Sequence, residues 1–142
     1  MPPRRSRITA RTADAFDLAA ALSQGINVVR AVDGYINQTE PFKLAKKLEA
    51  EPHRKGELAS ILYTCAEGVR IASLLLSPAM PGKMAEIWRN WNCVPPTGVP
   101  LARLAQFGGE FALKAGTTVA KGEILFMRAD PAQAAPDAAG SP

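Results

Sequence analysis

A chain of 142 residues with 47% hydrophobic and 21% charged side chains has the size and proportions of one domain built around a single core. The net charge of +4 favours anionic partners. Two distant cysteines and one histidine leave no C-x-x-C or His pair for a structural zinc and remove most histidine-dependent catalysis.

The first eleven residues, MPPRRSRITAR, form a basic arm with Arg4, Arg5, Arg7 and Arg11. No apolar stretch follows it, which argues against a secretory signal, and Asp14 and Asp17 argue against a transit peptide. A cytoplasmic location is the default expectation. Thr12 is a suitable N-cap, with both aspartates near the positive helix start. Ala15, Leu18, Leu22, Val29, Val32 and Ile36 then recur on one helix face, predicting a helix that ends near Ile36 or Asn37. Gly25 and Gly34 weaken it, and Gly25 can mark close approach of a neighbour.

Pro41 suits the first position of a second, short helix. Its spacing turns Phe42, Leu44, Ala45 and Leu48 inward and Lys43, Lys46 and Lys47 outward, with Glu40 supporting the helix start. Phe42 carries two readings. Its ring can project and stack on a single-stranded base, or it can seal the junction of two helices. The lysines likewise can attract phosphate or form a solvated charged face.

Glu51-Pro52 closes this segment. Leu58, Ile61, Leu62, Cys65, Val69, Ala72 and Leu76 form the longest continuous stripe of the chain, stopped at Ser77-Pro78. The strongly apolar run Ile71–Leu76 is far below the roughly 20 residues of a membrane span. Cys65 reads as a small core residue and Cys93 as core or surface. Pro81 starts a further helix with Met84, Ile87, Trp88 and Trp91 on one side, the tryptophans in the core. VPPTGVP is an irregular connector, and glycines then punctuate short apolar runs ending in the strand-like EILFM, Glu123–Met127. Residues 130–142 contain no large apolar side chain and are expected to be disordered. The expected architecture is all-α, a bundle of about four helices over residues 12–129 with a short extended C-terminal appendage.

No G-x-S-x-G, Walker-type or dinucleotide glycine loop is present, and Gly108-Gly109-Glu110 reads as a turn. No carboxylate pair falls in an obvious shared cleft. The residues therefore describe a binding module, with no catalytic centre, metal or cofactor expected in this chain.

Three ordered segments carry a resemblance. Asp33-Gly34-Tyr35-Ile36 followed by Glu40-Pro41-Phe42-Lys43-Leu44-Ala45-Lys46 is the first. Arg70, Leu75, Ser77, Pro78, Met80 and Pro81 make the second, and Leu125, Phe126 and Arg128 the third. Together they resemble the C-terminal anticodon-binding domain of methionyl-tRNA synthetase, a class I aminoacyl-tRNA synthetase. The resemblance implies a helical domain that binds tRNA carrying the methionine anticodon. In it Phe42 would stack on an anticodon base, and Lys43, Lys46 and Lys47 would contact phosphate. The full-length family enzyme is a methionine–tRNA ligase that uses ATP.

Phe42 stands where that family usually has tryptophan, offering a smaller ring without an indole N–H. Asp33 stands for the usual asparagine. The family's first anticodon-domain helix has no counterpart, so the chain reads as a fragment or as a stand-alone tRNA-binding protein, with a separate catalytic half as a further partner. A missing helix would leave Leu18, Leu22 or Leu62 partly uncovered and favour self-association. The alternatives are a helical protein-interaction domain without RNA binding, and the anticodon domain of another class I synthetase.

Overall fold

The computed structural model describes residues 18–127. The basic arm, the Thr12 cap and the tail from residue 130 lie outside the described residues. Helix α1 spans Leu18–Thr39, α2 Pro41–Lys47, α3 Lys55–Leu76, α4 Pro81–Asn90 and α5 Leu101–Leu104, with a 3₁₀ turn at Pro52–Arg54 before α3. No strand occurs among the described residues. The all-α expectation holds, with four helices of seven residues or more and one short final turn.

Helix α3 is the axis of the molecule, and every other helix packs on it. Its pairing with α1 is antiparallel. Gly25 faces Leu75 and Leu76, whereas Gly68 faces Val32, so rising numbers on one helix meet falling numbers on the other. A Cβ on Gly25 would lie 2.8 Å from the Leu76 side chain, and one on Gly68 would strike Val32. These glycines set the close approach of the two helices, as the sequence suggested for Gly25.

The segment Pro52–Leu76 is long and apolar enough to cross a membrane on length and composition alone. The six-residue run judged too short belongs to this longer apolar helix. Nine residues of α3 are buried within the protein, among them Glu67 and Arg70. That is the pattern of a core helix. Arg54 fastens its start by hydrogen bonds to Glu57 (2.8 Å) and Glu51 (3.2 Å). These bonds, from Glu57 first, raise the guanidinium's proton affinity, and Arg54 lowers the Glu57 carboxyl in return.

Helix α4 buries Met84 and keeps Trp88 and Trp91 half-buried. The Trp88 indole N–H donates to Ser73 Oγ at 2.8 Å, and Ser73 in turn donates to the Arg70 carbonyl. Beyond α4 the chain is irregular. Glu123–Met127 is coil and bend, not a strand, and Ile124 and Met127 are exposed. An apolar pentapeptide needs a neighbouring ladder to become a strand, and none is present among the described residues.

Candidate nucleic-acid interface

The junction of α1 and α2 positions the residues the sequence singled out. Thr39 Oγ1 donates to the Tyr35 carbonyl (2.7 Å), and the Glu40 N–H donates to the Ile36 carbonyl (2.9 Å), closing α1. Helix α1 thus ends at Thr39, two or three residues beyond the expected end at Asn37 or Ile36. Glu40 has φ 44° and ψ 55°, the left-handed conformation that commonly ends helices at glycine. Its carbonyl then accepts from Lys43 N–H (2.8 Å) and Leu44 N–H (3.1 Å), so one residue closes α1 and opens α2.

Pro41 and Leu44 are buried against the bundle and fix the roll of α2. That roll turns Phe42, Lys43, Lys46 and Lys47 to solvent. Phe42 is 54% exposed, so it does not seal the helix junction. Ala45, also expected inward, is exposed. A seven-residue helix held at Pro41 and Leu44 cannot also bury Phe42, on the other side of its first turn. Phe42 and Lys46 share one face at i, i+4, and Lys43 and Lys47 share the next.

The lysines are not equivalent. Lys43 Nζ lies 2.5 Å from Glu40 Oε1, with both side chains largely exposed. Lys46 and Lys47 pair with no carboxylate among the described residues and also suit the negative end of α2. Glu40 makes no side-chain capping bond to the start of α2. Its expected supporting role is replaced by the ion pair with Lys43. Tyr35 is half-buried, and Asp33 accepts a long hydrogen bond from Asn37 at 3.4 Å.

A second polar construction lies on the far part of α3, and the sequence reading missed it. Glu67 is fully buried and Arg70 is 3% exposed. Arg70 donates two hydrogen bonds to Glu67 (2.6 and 3.0 Å), and also donates to the carbonyls of Leu104 (2.6 Å) and Gln106 (3.0 Å). Glu67 accepts in addition from Gly108 N–H (3.2 Å) and Leu113 N–H (2.7 Å). Burial pushes the Glu67 carboxyl up, but the bonds from Arg70, Leu113 and Gly108 outweigh it and hold the group below its ordinary value.

The pair clasps residues 104–113 onto α3, with Tyr63 and Phe107 stacked edge to face at 6.3 Å beside it. A cavity of about 460 Å³ under this strap is lined by Arg70, Cys93, Leu104, Phe111 and Leu113, and by no residue of α2. Burial pushes the Cys93 thiol up. Gly108-Gly109-Glu110 is a turn as expected, and its Gly108 N–H, at φ 62°, is one of the two amides held by Glu67.

Over 121 residues the chain is 36% identical to the methionine–tRNA ligase of Streptomyces coelicolor, a match covering 84% of this chain and 22% of that protein. The methionine–tRNA ligase of Deinococcus radiodurans is 35% identical over 85% of the chain, and that of Caldanaerobacter subterraneus 32% identical over 82%. The chain spans between 16% and 22% of the length of these curated relatives. No family model matches the chain, and no solved structure matches it.

Proposed function

The chain is homologous to one segment of the methionine–tRNA ligases, and from that premise we propose that it is a tRNA-binding module that receives the methionine anticodon on the outer face of α2. The observation that carries this reading is the exposed Phe42 ring beside three lysines, on a helix whose other side is anchored by Pro41 and Leu44. An apolar ring held in solvent by buried neighbours is a preformed stacking platform. Lys46 and Lys47, free of carboxylates among the described residues, offer charge to the phosphates on either side. Aminoacylation belongs to the whole synthetase, in which this segment would present the tRNA and the catalytic part would use ATP.

Binding of the chain to tRNA with the CAU anticodon, beside the same tRNA with that triplet changed, tests the reading. The CAU form should bind more tightly, and Phe42→Ala should weaken it by about 5- to 150-fold, the equivalent of one lost stack of about 1–3 kcal/mol. Equal affinity for both tRNAs would reject anticodon recognition, and an unaffected Phe42→Ala would remove the ring from the site.

A second reading rests on a different observation. Leu18, Ile26 and Val29 on α1, and Leu62 on α3, are 41–52% exposed, with Leu22 on the α1 stripe and Leu58, Cys65 and Val69 on the α3 stripe half-buried. Each stripe lies roughly a quarter turn from the α1–α3 contact line, and the antiparallel pairing brings both to one side of the hairpin, towards its opposite ends. This face suits an apolar helix supplied by the remainder of the synthetase, with self-association in its absence. Its binding would persist in high salt, whereas tRNA binding would fall steeply.

A further inference from the structure

We propose that Glu40 sets the salt dependence of tRNA binding at the α2 surface. It occupies Lys43 in the free protein and so withholds that lysine from indiscriminate phosphate contact. The inference rests on the tRNA-binding reading and divides its three lysines into two kinds.

Glu40 is a conformational outlier. Only two described non-glycine residues have positive φ, Glu40 and Asn92. Asparagine tolerates that region, whereas glutamate has no local hydrogen bond to favour it. Here the next residue is also proline, which restricts Glu40 further. Strained positions of this kind persist where the surroundings dictate them, and they cluster at functional sites. Glycine or asparagine would end α1 with less strain. The glutamate side chain does not cap α2, so helix capping does not explain it. Its bond is to Lys43 Nζ at 2.5 Å, one residue beyond the Phe42 ring.

An exposed ion pair is weak and exchangeable. A phosphate can take Lys43 only by displacing a carboxylate of its own charge. Contact through the RNA backbone at this position therefore gains little net attraction, whatever the base sequence. Stacking on Phe42 involves no such exchange. The arrangement therefore lowers the charge-driven part of binding by the same factor for a correct and an incorrect triplet, and leaves discrimination to the ring. Lys46 and Lys47 lack such a partner and supply the salt-dependent attraction.

The test is the slope of log affinity against log salt for CAU and altered-triplet tRNA, measured with the wild-type chain, Glu40→Gln and the double variant Glu40→Gln with Lys43→Ala. Glu40→Gln should steepen the slope by about 0.7–0.9 for both tRNAs alike, one phosphate contact, with the ratio between them unchanged. The double variant removes both charges and should return the slope to the wild-type value. An unchanged slope in Glu40→Gln, with CAU preference and Phe42 dependence intact, would overturn the role of Glu40 while sparing the tRNA reading. A slope in the double variant as steep as in Glu40→Gln would overturn it equally, because the gain would then not come from Lys43. If the wild-type chain has no triplet preference and no dependence on Phe42, the tRNA reading itself fails.

Discussion

Glu67 illustrates how much one buried charge can organise. A carboxylate removed from water is tolerated only when its oxygens are fully bonded, and here four donors converge on it, two from Arg70 and two from loop amides. Arg70→Met would strand the carboxylate and should lower stability by about 3–5 kcal/mol in urea unfolding. Pairing it with Glu67→Leu should recover only part of that loss, because the amides of Gly108 and Leu113 would still lack an acceptor. Full recovery in the double variant would show that the two amides contribute nothing. The folded-state carboxyl lies below its ordinary value of 4.5. Its contribution is therefore complete above that value and is lost as pH falls through the lower folded-state value. Thermal melts of wild type and Glu67→Gln should differ most above about pH 5 and converge in acid. This construction was not legible beforehand. Arg70 stood out only as part of a motif, and a Glu and Arg three apart on a helix normally describe a solvated face.

At the scale of elements, periodicity revealed what lies on a helix, and contact geometry revealed why it stays there. The α3 stripe was legible because Ile61, Ala72 and Leu76 repeat at helical spacing and are buried. Spacing alone permits Phe42 to face inward or outward, because it cannot say which side of a seven-residue helix the anchors hold down. EILFM misled because an apolar run carries no information about a partner strand. The helix glycines divide in the same way. Gly68→Ala should destabilise the chain by about 1–3 kcal/mol through overpacking against Val32. Gly34, with nothing within 4 Å of an added Cβ, should give the opposite sign, with Gly34→Ala stabilising by about 0.5–1 kcal/mol. Melting temperatures of the two variants measure both. Equal shifts would mean that the α1–α3 approach is looser than these contacts imply.

For the whole molecule, the stripes on α1 and α3 make the hairpin apolar on one side as well as along its seam. Surfaces of that kind mark interaction sites. Sedimentation from micromolar to hundreds of micromolar chain should show an association that rises with concentration and survives added salt. Leu62→Lys should suppress it, since the new charge would enter the face. A concentration-independent monomer across that range would mean the stripes are too small to hold a partner. The expectation that Leu18 and Leu62 would be uncovered agrees with their exposure of 52% each.

The clasp on the C-terminal strap also fixes when that strap can open. Glu67 meets Gly108 and Leu113 across 41 and 46 positions of sequence, whereas the bonds inside α3 close within a few residues. Amide exchange should therefore separate the two. The Gly108 and Leu113 amides would trade their protons at the rate of strap release, ahead of the α3 backbone and together, because one carboxylate holds both.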